Sequence, residues 1–332
     1  MLRNSVFRAR IKWLSEFLFV SVLALSSGAS KRIRVVPRYV PGQTLRYRVE
    51  SRTTTSGKIT TPIVNPEGAT QSTLTIRLLV RLDVLDAPAA PAAGSTRFRA
   101  TYEESRGDRL SDAFDPAQPS PSAEYARLEG RSLEFTAEPG GPARFEGLED
   151  IFPSRATAQS ALSWFDALCF NSGFPESGIA IGEKWKHEHR VDAAPFSDLV
   201  WHAESTYLRD EPCPSEAAVT AQAATTGEAC AVILTRFTIS RRGSAHSDAT
   251  QEDYLHNGLR VFGVWTGSGE RLDSISLSRG LLIRSTETSD QQMDYQITSA
   301  ANGSSIHNRS HVRFQSETIL VSAPSLPAVV PR

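Results

Sequence analysis

Hydrophobic and polar residues alternate with a two-residue period over much of this chain, and the alternation is most regular in residues 73–85. An aliphatic residue occupies every second position there, with mostly polar residues between. Because successive side chains of a β-strand point to opposite faces, the pattern predicts a long strand with one dry face. The aliphatic side chains predicted to share that face are Leu74, Ile76, Leu78, Val80, Leu82 and Val84. The predicted strand is longer than common strands, which span roughly 17–20 Å, and its length favours a large, curved antiparallel sheet.

Similar alternation predicts further strands on both sides of this one. Shorter segments with the pattern are residues 45–49, 98–102, 133–136, 143–145, 199–207 and 231–239. The last third is predicted to be a meander with strands at residues 259–265, 272–277, 281–288, 293–297 and 312–321. Asn302 and Gly303 form the strongest hairpin-turn signal in the chain, and we interpret the Gly-Ser-Gly-Glu segment 267–270 as another tight turn.

Residues 154–170 carry the only strong helical pattern. Ser154 can cap the helix after Pro153. Six apolar side chains then recur at helical spacing, and these are Ala158, Ala161, Leu162, Phe165, Leu168 and Cys169. The apolar stripe predicts a helix that packs against a sheet face.

The position of this helix, nearly midway along the chain, predicts two β halves. Residues 31–150 form the first half, residues 151–175 the linking helix and residues 176–322 the second half. A glycine followed by an aromatic-rich strand occurs near Gly42 and again near Gly182, which suggests that the halves are similar. We therefore predict a mainly β, antiparallel fold of two similar, strongly curved sheets, each a half-barrel or barrel-like unit, joined by one central helix. The pattern leaves open whether the two halves form one continuous barrel.

Residues 1–30 have the composition of a secretion signal. Four basic residues precede an apolar run at residues 17–25, and small residues follow it. The run of about nine residues is shorter than the roughly 20 that cross a bilayer. We therefore predict cleavage and export to the periplasm or the cell exterior, with no transmembrane span in the mature chain; an uncleaved anchor is the alternative. Residues 323–332 contain three prolines and are predicted to form a disordered tail.

The charge and the cysteines restrict the classes of partner and compartment. The 36 basic and 37 acidic residues nearly balance, which argues against nucleic acid as the main partner. Cys213 and Cys230 flank a polar loop between two predicted strands, so an exported chain could join them in a disulfide that stabilises the hairpin by roughly 3 kcal/mol. The alternative is that all three cysteines, including Cys169, are reduced.

No residue pattern reaches the level of a catalytic or cofactor-binding signature. His187 and His189 share a strand face with Trp185 and could chelate a metal, but no third ligand stands at a suitable spacing, so we predict no metal site. The glycine-rich segment 267–270 precedes no helix that could present N–H groups to a phosphate. Nucleophile motifs are missing from the sequence, and no cofactor is predicted.

Several strand-start residues resemble one family. Phe174 and Pro175 precede the segment 182–185, Gly-Glu-Lys-Trp, after the predicted helix, and Pro41 with Gly42 opens the first strand. In these features the chain resembles a group of secreted bacterial proteins, the family of unknown function 6263. The resemblance implies an exported, β-rich domain without an assigned reaction, and it gives no functional residues to transfer.

The sequence favours a non-enzymatic binding protein of the cell envelope. Its dry sheet face would hold an apolar or amphipathic small molecule, a lipid, or an envelope protein partner. The aromatic side chains predicted to line that face are Trp185, Trp201 and Trp265. The alternatives are a structural or envelope-assembly protein without a ligand, and a hydrolase whose residues converge only in the fold.

Overall fold

The strands dominate the computed structural model. It describes residues 32–60, 70–88, 94–112, 121–138, 143–152, 158, 161–162, 164–168, 173–193, 196–214, 228–241, 259–299 and 302–322. The strands are β1 (Thr44–Thr60), β2 (Thr70–Asp86), β3 (Thr96–Ser111), β4 (Ser132–Ala137), β5 (Arg144–Glu146), β6 (Lys184–Ala193), β7 (Phe196–Pro212), β8 (Ala229–Arg241), β9 (Leu259–Ser276), β10 (Leu282–Ser299) and β11 (Ser305–Ser322). Two short helices (Pro121–Ala126, Phe165–Leu168) and a 3₁₀ turn (Leu148–Asp150) complete the described elements.

All eleven strands belong to one antiparallel sheet, in the order β5-β4-β3-β2-β1-β11-β10-β9-β8-β7-β6. The predicted mainly β, antiparallel class is confirmed. The predicted division into two sheets joined by a helix is not confirmed, because β1 pairs with β11 along almost its whole length and joins the two sets of strands. This pairing satisfies two long edges that would otherwise expose unpaired backbone groups. The sheet is open, with β5 and β6 at its ends.

The strand register assigns each side chain to one of two faces. We call the face that carries Leu45, Tyr47 and Val49 of β1 the inner face. The β2 residues that pair with these three are Leu82, Val80 and Leu78, which belong to the regular aliphatic pattern of the sequence. Ile76, Leu78, Val80, Leu82 and Val84 are at most 3% exposed, and Leu74 is half-buried against them. The one-faced strand predicted for this segment is therefore confirmed.

The opposite, outer face carries charged side chains that pair across strands. Asp294 of β10 accepts hydrogen bonds from two residues of β11, from His307 at 2.6 Å and from Arg309 at 3.0 Å. These bonds, with that of His307 the strongest cause, hold the pKa of the Asp294 carboxyl below its usual value. His311 and Asp290 form a similar contact at 2.7 Å. Exposed pairs of this kind stabilise a fold by only about 0–1 kcal/mol each. They make this face hydrophilic but add little to the stability of the fold.

Aromatic side chains cover one end of the inner face. The Phe165 ring lies 4.7 Å from the Phe135 ring of β4 and 5.2 Å from the Phe145 ring of β5. The helix Phe165–Leu168 also contacts β10, which is five strands away from β4. Five strand spacings cover about 24 Å in a flat sheet, whereas a helix of this length is only about 6 Å long. The sheet therefore bends around the helix, and the inner face is concave at this end.

The chain before β1 and the helix Pro121–Ala126 add to this cover. Ile33 forms an isolated antiparallel bridge with Ile179, and the Tyr39 ring packs edge-on against Phe98 at 4.8 Å. Tyr125 of the helix lies directly over the inner face of β3, where a Cβ at Gly107 would come within 2.1 Å of its ring. Gly107 thus leaves space for the ring. We call this covered part of the inner face, which includes the buried residues Val80 and Phe98, the sealed end.

Two predicted turns fall inside strands. The glycine-rich segment 267–270 lies in the middle of β9, so the prediction of a tight turn there was wrong. Glycine allows a close approach in this strand, because Phe237 packs against the backbone at Gly269. The segments 281–288 and 293–297 likewise belong to one strand, β10. The turn between β10 and β11 is confirmed, and Gly303 adopts a positive φ of 67° in it.

Three other sequence predictions fall wholly or partly on the ends and the middle of the chain. The signal segment 1–30 and the tail 323–332 lie outside the described residues. Only parts of the predicted helix 154–170 are described, and they include the helix Phe165–Leu168.

The sulfur atoms of Cys213 and Cys230 lie 2.09 Å apart, at disulfide distance, between the end of β7 and the start of β8.

Two adjacent leucines of β2 test the assignment of faces. Leu78 is 2% exposed in the core, whereas Leu79 lies on the outer face and is half-buried. We expect Leu78→Ala to lower the free energy of unfolding by about 2–5 kcal/mol, because it leaves a cavity. Leu79→Ala should cost less than half as much. Urea denaturation measures both variants, and equal losses would contradict this strand register.

Candidate functional site

Part of the inner face, on β7, β9, β10 and β11, carries apolar side chains that are not sealed. These half-buried side chains are Trp201, Trp265, Met293, Val312 and Phe314, and we call them the inner apolar patch. Trp265 and Met293 are direct cross-strand partners. Trp201 and Trp265 pack on a second buried cluster, formed by Leu199, Ala203, Phe237, Ile239 and Val261. Large, partly exposed apolar side chains gathered on one face are typical of sites for apolar ligands.

A stack of rings forms the firmest part of this surface. The Trp201 and Phe237 rings lie 4.4 Å apart with an interplanar angle of 13°. Phe237 in turn rests on the backbone of Gly269, where an added Cβ would come within 2.3 Å of its Cζ atom. The glycine of β9 therefore determines where the two rings lie. Strand glycine is commonly covered by a neighbouring aromatic side chain in this way.

The second tryptophan of the inner apolar patch is held by a polar contact. The Trp265 Nε1–H donates a hydrogen bond to Oε1 of Gln291 at 3.0 Å. The Gln291 amide donates to Oγ of Ser289 at 3.0 Å. The indole ring is thus fixed in orientation and remains half-buried, and a rigid aromatic side chain binds ligands with little loss of conformational entropy.

Next to the inner apolar patch, a row of polar residues crosses six neighbouring strands. Its members are cross-strand partners in register, namely Ser205, Thr235, Arg271, Glu287, Ser316 and Ser51. We call them the polar row. Ser205 and Thr235 are fully buried and share a hydrogen bond of 2.8 Å. The polar row separates the sealed end of the inner face from the inner apolar patch.

A buried ion pair stands at the centre of this region. Nε of Arg271 lies 3.0 Å from Oδ2 of Asp273, and these residues are 8% and 4% exposed. The Ser285 hydroxyl donates a hydrogen bond to the other carboxylate oxygen of Asp273 at 2.7 Å. Desolvation of two charges often outweighs their attraction, so a buried pair is weak evidence for a stabilising role. The pair stands on the inner face, two residues apart on β9, next to the inner apolar patch.

The residues predicted from the sequence divide between two environments. Trp201 and Trp265 lie in the inner apolar patch, whereas Trp185 is 8% exposed and belongs to the sealed core, where its ring lies 5.5 Å from that of Phe174. His187 is half-buried on the inner face of β6. The side chain of His189 lies outside the described residues.

Sequence reasoning missed the polar residues of the inner face. Arg271 and Asp273 follow the segment 267–270, and the turn predicted there prevented the alternation from being extended through β9. Read as one strand, the same sequence places both side chains on the face of Trp265. The positions 265, 271 and 273 are all odd-numbered, so in a single strand their side chains share one face, and the sequence alone contained this information.

The outer face has a depression of about 680 Å³ that crosses β6–β9. Its walls carry an ion pair between Arg236 and Glu270 at 2.7 Å and a contact of 3.0 Å between His202 and Glu188. The hydrogen bond from Lys184 is the strongest cause that holds the pKa of Glu204 below its usual value. Opposite charges alternate along these walls, so the depression offers no strong preference for one sign of charge.

The described residues hold neither a metal centre nor a membrane-spanning helix. Within them, no three His, Cys, Asp or Glu side chains gather closely enough to bind a metal ion. None of the helices in the described ranges has the length and apolar character needed to cross a bilayer.

Comparisons with known proteins give little further information. No family model matches the chain, and none of the curated proteins matches it. Among solved structures, lipovitellin, studied for its lipid–protein interactions, is similar at a TM-score of 0.45 with 11% identity over 89% of this chain. The match covers 26% of the lipovitellin chain, about a quarter of its length.

A second similar structure is a Bacteroides fragilis protein described as exported and YmcC-like in fold. Its TM-score is 0.25, with 9% identity over 87% of this chain and 100% of that one. At TM-scores below 0.5, neither likeness supports an inference about ligand or partner.

Gly269 offers a test of the ring stack. A Cβ there would lie 2.3 Å from Cζ of Phe237 and 2.5 Å from the carbonyl oxygen of Thr288. We expect Gly269→Ala to lower the free energy of unfolding by about 1–3 kcal/mol, as overpacking does, and to change the near-ultraviolet circular dichroism of Trp201.

Gly94→Ala is the matched control, because the nearest atom to its Cβ would be Cβ of Pro88 at an ordinary 3.5 Å. That variant should stay within about 0.5 kcal/mol of the wild type. An unchanged spectrum and unchanged stability for Gly269→Ala would show that Phe237 does not rest on β9.

Proposed function

We propose that this protein is an exported, non-enzymatic binding protein that holds an apolar or amphipathic ligand against the inner apolar patch. The observation that carries the proposal is a contrast within one face. Side chains at the sealed end, such as Val80 and Phe98, are at most 2% exposed, whereas those of the inner apolar patch remain half-buried. A face that only had to be stable would gain from sealing the large aromatic side chains as well.

A modest contact area would be enough to hold a small apolar ligand. Covering on the order of 200 Å² of apolar surface would contribute about 5 kcal/mol before the losses of association. Trp201 and Trp265 supply much of that surface and stand in fixed orientations. The sealed position of Trp185 excludes it from the proposed contact, although the sequence favoured it equally.

Export is part of the proposal and rests on two features. The composition of residues 1–30 is typical of a secretion signal. The Cys213 and Cys230 sulfurs at disulfide distance suit an oxidising compartment. The periplasm and the cell exterior are both compatible with these features.

An envelope-assembly protein without a ligand is the second candidate. It is favoured by the polar groups that satisfy each other from within the chain, such as Ser205 with Thr235 and Trp265 with Gln291. A hydrolase has less support. The buried Asp273 carboxylate is held by Arg271 and Ser285, and a carboxylate engaged by these two donors is poorly placed to take a proton from a substrate as a general base. The binding protein remains the better account of the half-buried rings.

A neutral fluorescent probe tests the proposal. Delipidated protein should bind N-phenylnaphthylamine saturably, with enhanced emission. We expect Trp201→Ala and Trp265→Ala each to raise the Kd roughly five- to tenfold, because each removes about 1–1.4 kcal/mol of contact. Fluorescence titration measures all variants.

Trp185→Phe is the control and should leave the Kd unchanged, because this side chain lies in the sealed core. Absence of saturable binding would favour the envelope-assembly protein. Equal effects of all three substitutions would place the probe somewhere other than the inner apolar patch.

A further inference from the structure

The open sheet ends in two unequal edges. At one end β5 has only three residues, whereas β6 at the other end has ten. β6 pairs with β7 without a register shift from Lys184 to Val191, and within the described residues no strand lies on its other side. A long edge strand presents a row of backbone N–H and C=O groups to which another strand can add.

β6 has few of the features that commonly protect such an edge. It contains no proline, and its register shift, between Val191 and Ala193, comes only at the end of the strand. Charged side chains are the protection that remains. They repel an approaching strand only where like charges meet, so the order of the charges determines which strand can add to this edge.

The charges that an added strand would meet lie on the outer face. On the inner face of β6, Trp185 is 8% exposed, and its ring lies 5.5 Å from that of Phe174 in the preceding segment. That side of the strand is therefore covered from within the chain. On the outer face, the side chains of Lys186 and Glu188 are 81% and 52% exposed.

These two exposed charges form a self-complementary pair. Lys186 and Glu188 lie two residues apart and hence on one face of the strand. When two copies of β6 pair antiparallel around His187, Lys186 of each copy lies directly opposite Glu188 of the partner subunit. Opposite charges in this position stabilise a strand pair, and like charges destabilise it. By register, Lys184 meets Arg190 of the partner subunit at the ends of the ladder, so the attraction is partly offset there.

The neighbouring strand β7 reduces the repulsion at the ends of the ladder. Glu204 lies 2.9 Å from Lys184 but 3.7 Å from Lys186. The carboxylate therefore compensates the charge of Lys184 more than that of Lys186. His202 of β7 lies 3.0 Å from Glu188, whose side chain nevertheless stays half exposed. The central charges thus remain available for cross-strand pairing between two copies.

We propose that β6 is a dimerisation edge, at which a second copy of this chain adds its own β6 antiparallel and continues the sheet. Such a contact is isologous, because the same residues contribute from both copies. The two-fold axis of an antiparallel ladder is perpendicular to the sheet, so both inner faces lie on the same side of the dimer. The two inner apolar patches then belong to one continuous inner face. This inference does not depend on the presence of a ligand.

Two charge reversals in the full exported chain test the proposal. Sedimentation velocity should show a concentration-dependent dimer for the wild type. Lys186→Glu places carboxylates opposite each other, and Glu188→Lys places ammonium groups opposite each other. We therefore expect each variant alone to raise the Kd of the dimer by roughly tenfold or more. An equimolar mixture of the two variants should return the Kd to within about threefold of the wild type, because each strand then meets the opposite charge.

Arg236→Glu is the matched control. Arg236 is an exposed residue of the outer face, paired with Glu270 at 2.7 Å, and it lies on β8, which β7 separates from the edge. Its reversal should leave the Kd of the dimer unchanged. The proposal would be overturned by a wild type that stays monomeric up to about 0.1 mM, by a dimer that neither reversal weakens, or by a mixture that fails to dimerise.

Hydrogen exchange of the wild type decides if either reversal prevents folding. Backbone amides of residues 184–190 should exchange more slowly at high protein concentration than at low concentration, because the partner strand accepts or shields their N–H groups. The amides of β5, at the opposite edge, should exchange at the same rate under both conditions. Equal exchange of residues 184–190 at the two concentrations would overturn the proposal.

Discussion

The pairing of β1 with β11 is the constraint on which the rest of the structure depends. It joins strands from opposite ends of the described chain along fifteen residue pairs. Without it, the two sets of strands would present unpaired edges to solvent, which natural sheets avoid. Because of it, rows of side chains continue from one half to the other, and both the core and the polar row cross this seam.

Continuity of the sheet also explains how one face can have three different zones. The sealed end buries aromatic and aliphatic side chains under the helix Phe165–Leu168 and the Pro121–Ala126 helix. The polar row follows in register across six strands, and the inner apolar patch lies beyond it. An apolar replacement of the Arg271 and Asp273 pair would be about neutral or even stabilising in many proteins. Stability alone therefore does not account for these charges.

The sequence was sufficient for local structure and insufficient for assembly. Strict alternation fixes the faces of β2, because a shift by one residue would expose every aliphatic side chain. It cannot show which strands are neighbours, so the pairing of β1 with β11 was not predicted and two sheets were expected instead. Gly269 was misread because glycine signals a turn as well as a close approach, and the polar row was lost with it. Trp185 could not be told from Trp201, since burial depends on packing partners distant in sequence.

The site on the inner face is tested most directly by photolabelling with a neutral alkyl diazirine, followed by mass spectrometry of the labelled residues. The outer face offers a fair competitor, because Phe262 and Val264 of β9 are 59% and 52% exposed. Saturable labelling should concentrate on Trp201, Trp265, Met293 and Phe314. Labelling that concentrates on Phe262 and Val264, while the inner residues stay unmodified, would contradict the account.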